Sequence, residues 1–202
     1  MLELSEFVFG IEEKPFGLTY SNWTVKWWKW ILEIPKYISP LFDPDGKNAY
    51  LNQTYGKVFF LCQTLESSEK IPVRTINVPK ETSIFMPIIN WISVLHEDGE
   101  TDEELLKVAR QRMDVVKDLE ITINEIRLST NFVKKFRVES RFVNVFLPEN
   151  NIFGHPSCKT RIVSDGYWIF TRPLTHNTSV KTVGSCSSGI TKIKVNYNIN
   201  II

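Results

Sequence analysis

The chain predicts a mostly β fold: an antiparallel β-sandwich, immunoglobulin-like or jelly-roll-like, with two helices, one of them tryptophan-rich and largely buried. Three observations point there. About seven short apolar or alternating runs are separated by turn residues, which is the spacing of a sandwich. No strand–helix–strand rhythm, internal repeat or low-complexity linker divides the chain, so 1–202 reads as one domain with helices inserted near 21–34 and 102–118. Finally, the stretch from Tyr20 to Pro35 holds Trp23, Trp27, Trp28 and Trp30, four of the six tryptophans, at helical spacing.

The elements follow in order. Residues 1–19 read as an irregular arm closing at Gly17. Ser21 is a good N-cap and Pro35 a helix stop, so both ends of the tryptophan helix are signalled. At about 100° per residue, Lys26, Lys29 and Glu33 form its only polar stripe, too narrow for a surface helix. Tyr37 to Asn48, with Pro40, Pro44 and Asp45-Gly46, reads as a loop ending in a tight turn. Residues 57–64, 72–78 and 84–92 read as strands, the third broken or bulged at Pro87 because proline cannot donate to a ladder. Thr101-Asp-Glu-Glu104 is a capping box that opens the second helix. Period-two runs return at 121–128, 136–146 and 167–171. The cleanest is the last, where Ile193, Val195, Tyr197, Ile199 and Ile201 alternate with polar residues.

Composition narrows the classes. A 43% hydrophobic and 23% charged chain of 202 residues is that of an ordinary globular domain, and its net charge of +1 offers no surface for nucleic acid. No apolar run is long enough to span a bilayer. Acidic residues stand at the N-terminus where a signal peptide needs basic ones, so the expected location is cytoplasmic, with an extracellular one as the alternative. The three Asn-x-Ser/Thr triplets are then chance matches. Three cysteines cannot all pair, and their spacing matches no zinc pattern; buried thiols and one Cys158–Cys186 bridge are the two readings.

The run Gly17-Leu-Thr-Tyr-Ser-Asn-Trp-Thr-Val-Lys-Trp-Trp-Lys-Trp30, together with Asp165-Gly-Tyr-Trp-Ile-Phe-Thr-Arg-Pro-Leu174, resembles the opening and closing motifs of a family of uncharacterised bacterial and archaeal proteins. Ile34-Pro-Lys36, Pro40 to Gly46, Gly56 to Leu61, Val78-Pro-Lys80, Phe85 to Asn90 and Gly184 to Gly189 resemble it in the same order. The family has no assigned activity, so the resemblance implies boundaries and no mechanism.

Several constellations offer chemistry. Asp43-Pro-Asp-Gly-Lys-Asn48 spaces oxygen ligands as a calcium loop does, with Asp43, Asp45 and Asn48 as the ligands, though it lacks the distal glutamate of an EF-hand. No other cofactor is called for. Cys158 or Ser157, His155 and Asp165 contain the residue types of a nucleophile–histidine–carboxylate set, without a surrounding signature. Asn90 is a polar amide at the end of an apolar run, beside Trp91.

Abundant aromatic residues without a recognisable catalytic set favour a non-enzymatic binding or interaction module for a glycan or a hydrophobic small molecule. The expected contact residues are Tyr20, Trp23, Trp28, Asn90, Tyr167, Trp168 and Arg172. Two alternatives stay open. One is a small hydrolase- or cyclase-like enzyme with a pocket around His155, Asp165 and Arg172. The other is a self-assembling homo-oligomer that pairs copies through an exposed C-terminal edge strand, Lys192 to Ile202.

Overall fold

The computed structural model describes residues 6–54, 56–65, 70–186 and 192–202, with the side chain of Cys186 outside that set. Helix α1 spans Tyr20–Leu32 and is capped by Thr19 rather than Ser21: the Thr19 hydroxyl accepts the Asn22 N–H. None of its residues is exposed. Three indole N–H groups tie it to three different segments. Trp23 donates to the Pro15 carbonyl (3.0 Å), Trp27 to Leu61 (2.8 Å) and Trp30 to Leu51 (2.7 Å). Each buried indole is worth about 4–6 kcal/mol of gross transfer energy before ordering costs.

The strands are β1 (Val58–Phe60), β2 (Val73–Val78), β3 (Ser83–Val94), β4 (Val116–Ile123), β5 (Ile126–Leu128), β6 (Arg137–Glu139), β7 (Val143–Leu147), β8 (Cys158–Phe170), β9 (Thr178–Cys186) and β10 (Ile193–Ile201). Helix α2 runs Asp102–Asp114 behind the expected capping box, and a short α3 covers Thr130–Val133. α2 stops four residues early because Val115 and Val116 are β-branched and turn into β4, where Leu119, Ile121 and Ile123 alternate inward. The run 121–128 is two strands, since Asn124 and Glu125 both take positive φ and close a two-residue hairpin.

Two sheets result. The first has the order β1-β3-β8-β6, with β7 also on β8; the second is β2-β10-β9-β4-β5. Both are mixed: β1 runs parallel to β3 and β2 parallel to β10, while the other pairings are antiparallel. One face of the β3–β8 pair carries α1: Trp27 packs on Trp168 (5.2 Å between ring centroids) and Tyr20 and Trp23 on Phe170 (5.9 and 5.4 Å). The other face meets the second sheet at Gly184. A Cβ there would stand 2.7 Å from the Ile89 Cβ, so glycine is what lets the sheets close. α2 covers the rest of that face, with Arg112 stacked on Trp91 (4.5 Å) and Asp102 paired with Arg161 (2.6 Å).

The expected C-terminal edge strand is not an edge. β10 pairs with β9 over 193–199 and with β2 over 196–201, because its inward Val195, Tyr197 and Ile199 belong at the centre of the sandwich core. The edge falls to β2, and its open side is covered: Thr75 N–H donates to the Asp45 carbonyl and Asn77 N–H to the Tyr50 hydroxyl. Among the described residues no helix is long and apolar enough to cross a membrane. Cys62 is a buried thiol and Cys158 an exposed one, while the Cys186 side chain needed for the bridge lies outside the described residues.

Candidate functional site

A cavity of about 240 Å³ lies between the C-terminal half of α1 and the end of β3. Trp27 and Trp28 form one corner, their rings 88° apart with centroids at 4.9 Å. Leu41, Ile92, Val94, Ile152 and Phe153 also line it, and the exposed Leu65 marks its rim. The polar groups on its lining are Gln63, Asn90 and Asp98. Trp91 borders it as well, but strand alternation sends the Trp91 ring to the opposite face, where Arg112 stacks on it.

Asn90 faces the cavity because β3 carries a bulge. The register with β8 shifts between Pro87 and Ile89, so Pro87 pairs with Trp168 and Asn90 with Gly166 on the same face. Without the extra residue the alternation would turn Asn90 toward the second sheet. Gly166 then makes room for it, since a Cβ there would lie 2.5 Å from the Asn90 Cβ and 2.8 Å from its Cα. Gln63 donates its amide to Asn90 Oδ1 (3.3 Å), which leaves Asn90 Nδ2 as the unused end. Trp28 Nε1 is likewise screened from solvent without a partner among the described residues. A buried donor left unpaired costs about 1–3 kcal/mol, so two among the residues that line one cavity are conspicuous. Asp98 caps the turn after β3, its Oδ2 accepting the Val94 N–H at 2.8 Å.

Of the residues singled out from the sequence, Trp28 and Asn90 meet here and the others do not. Trp23 is in the core with its N–H on Pro15. Trp168 is fully buried and stacks on Phe85 (5.1 Å, 5° between planes). Tyr20 donates its hydroxyl to Phe9 (2.7 Å) and borders a separate open cleft with Glu13, Arg137 and Glu139; burial, with Glu13 adding to it, drives its phenol far up. Tyr167 lies on the opposite face from the cavity, and burial raises its phenol too. Arg172 pairs with Glu13 (2.9 Å) and lies over the Phe9 ring. The signals that were missed, Gln63 and Asp98, are polar residues next to apolar runs, as Asn90 is.

The set of His155, Asp165 and Arg172 is not assembled. His155 sits in a shallow surface cleft and pairs with Glu97 (2.6 Å). Asp165 is fully buried, gripped by Arg137 at 2.6 and 2.9 Å and by the Gly166 N–H; burial pushes its carboxyl up while Arg137 pulls it down. Cys158 and Asp165 stand at separate points of one extended strand, about 23 Å apart at ~3.3 Å per residue. The three residues expected as calcium ligands are engaged within their own turn. Asp43 is buried and accepts the N–H groups of Asp45, Gly46 and Asn48, filling three of its roughly four acceptor positions. Asn48 serves that turn as a donor, and Asp45 accepts the Lys47 N–H. Among the described residues no group of three or more His, Cys, Asp or Glu is placed to hold a metal ion.

The turn is anchored on a buried arginine. Arg74 donates from Nε to the Asp43 carbonyl (2.7 Å) and from Nη1 to the Cys62 and Gln63 carbonyls and the Tyr197 hydroxyl (2.6 Å). Burial pushes the Cys62 thiol and Tyr197 phenol up, away from ionisation, so this cluster is a structural clamp. It also fixes Gln63, and through Gln63 the Asn90 amide.

No family model matches the chain, and no curated protein and no solved structure matches it either.

Proposed function

We propose that the protein binds a small, mostly apolar molecule in the cavity beside the tryptophan helix. The observation that carries this reading is the cavity itself, walled by ring faces and aliphatic side chains, with a few placed polar groups. Small-molecule sites have that character: concave, mainly hydrophobic, and oriented by a small number of hydrogen-bonding groups. A glycan fits less well, because it carries hydroxyls on every side and the lining, among the described residues, gives three polar side chains to meet them.

Titration with benzothiophene, followed by the indole N–H signals in heteronuclear NMR, tests the reading. The Trp27 and Trp28 signals are expected to shift while those of Trp23 does not, with a Kd on the order of 10–100 µM for so small a ligand. Leu65→Trp at the exposed rim fills the space and should abolish the shifts. No shift up to millimolar probe, or shifts that survive Leu65→Trp, would overturn it.

A further inference from the structure

Resting on the cavity reading above, we propose that the molecule taken there is neutral, flat and two-ringed, and that it offers one accepting oxygen, of the carbonyl kind, to Trp28 and Asn90. Size comes first. A cavity of about 150 Å³ holds benzene, so the 240 Å³ here has room for about ten non-hydrogen atoms by proportion. Shape follows from the walls, because a flat ring can lie against one of the two perpendicular indoles and present its edge to the other.

Polarity is set by what the protein leaves unmade. Trp28 Nε1 and Asn90 Nδ2 are both donors, and Gln63 already occupies the accepting end of the Asn90 amide. Both nitrogens belong to residues that line the cavity and both are screened from water, so a ligand oxygen reaches them when the amide or the indole turns toward it. A hydrogen bond made there replaces no bond to water on the protein side, which is the condition under which it discriminates best.

Charge is decided by Asp98. Among the described residues no lysine or arginine lines the cavity and the charged group on the lining is this carboxylate, so an anion is repelled. A cation would be drawn to the carboxylate and the indole faces. Against it, Asp98 already accepts the Val94 N–H, and the two unpaired groups are donors, which offer a cation nothing. A neutral acceptor serves both donors and is not repelled by Asp98.

The test is calorimetric titration of the full chain with four two-ring probes: coumarin, benzothiophene, N-methylquinolinium and 2-naphthoate. Coumarin is expected to bind about tenfold more tightly than benzothiophene, and both ions more weakly than coumarin. Trp28→Phe keeps a ring but loses the donor, and should cut the preference to under about threefold while leaving benzothiophene affinity nearly unchanged. Asn90→Leu, an independent variant, should do the same. Equal binding of coumarin and benzothiophene overturns the acceptor inference and leaves the cavity reading standing, as does tightest binding by N-methylquinolinium or 2-naphthoate. Binding by none of the four overturns both.

Discussion

Gly166→Ala tests the packing that presents Asn90 to the cavity. The added Cβ would lie 2.5 Å from the Asn90 Cβ, 2.8 Å from the Asn90 Cα and 2.9 Å from the Ile89 carbonyl oxygen. Two of these three atoms are backbone, in the middle of the longest pairing in the first sheet, so no flexible side-chain end can yield. Overpacking at such a point costs about 1–3 kcal/mol, and the backbone contacts place this case at the upper end. For a chain of this length about 3 kcal/mol lowers Tm by roughly 6–12 °C. Gly10→Ala is the control, because its Cβ meets only the Glu13 side chain, at 3.4 Å, and should stay within about 0.5 kcal/mol. Thermal and urea unfolding give both values. A Gly166→Ala protein within about 1 kcal/mol of wild type would mean that β3 and β8 do not approach so closely, and the placement of Asn90 would go with it.

Trp27→Phe and Trp28→Phe remove similar area but different bonds, since Trp27 satisfies the Leu61 carbonyl and Trp28 donates to nothing among the described residues. Urea titration should find Trp27→Phe the more costly by about 1–2 kcal/mol; equal losses would refute the distinction. Arg74→Met strands the Asp43 and Gln63 carbonyls and should cost about 2–4 kcal/mol by the same assay, whereas a neutral result would remove the clamp from the account. Acid stability follows from carboxyls held low: Asp102 by hydrogen bonds from Arg161, Asp118 by Ser185 and Lys192, and Glu104 by the Glu100 and Thr101 N–H groups. Their folded pKa values lie below the unfolded ones, so the unfolded chain binds more protons as pH falls below about 4, and the stability they give is lost there. Asp102→Asn should therefore flatten the acid limb of the stability curve, and an unchanged slope would count against the Arg161 pair.

What the sequence made legible was periodicity, and what it hid was depth. The tryptophan spacing marked α1 as enclosed, and period-two runs found the cores of β2, β3 and β10. The same local signal carried the second helix on to residue 118, because Val116 and Leu119, three apart, fit a helix face as well as a strand with a bulge between them. It passed over β9, whose Thr178 to Cys186 mixes serine, threonine and glycine with two valines and alternates too weakly to stand out. The parallel pairings were beyond reach, since nothing local says that residue 58 will lie beside residue 83, or 196 beside 73.

The site divides along the same line. Apolar spacing indicates which rings leave water, but a cavity forms where rings from separate segments fail to meet, and that depends on register. Tyr20, Trp23 and Trp168 resembled Trp28 as candidates because all are large aromatics in apolar settings; in the fold all four pack against other rings, and of them Trp28 lines the cavity. Pro87 was the one readable cause. A proline inside an apolar strand demands a bulge, a bulge reverses the alternation beyond it, and the reversal is what carries Asn90 from the sheet–sheet interface to the helix side. The bulge, Gly166 opposite it and the Gln63 amide beside it therefore act as one device for holding a polar group at an apolar cavity wall.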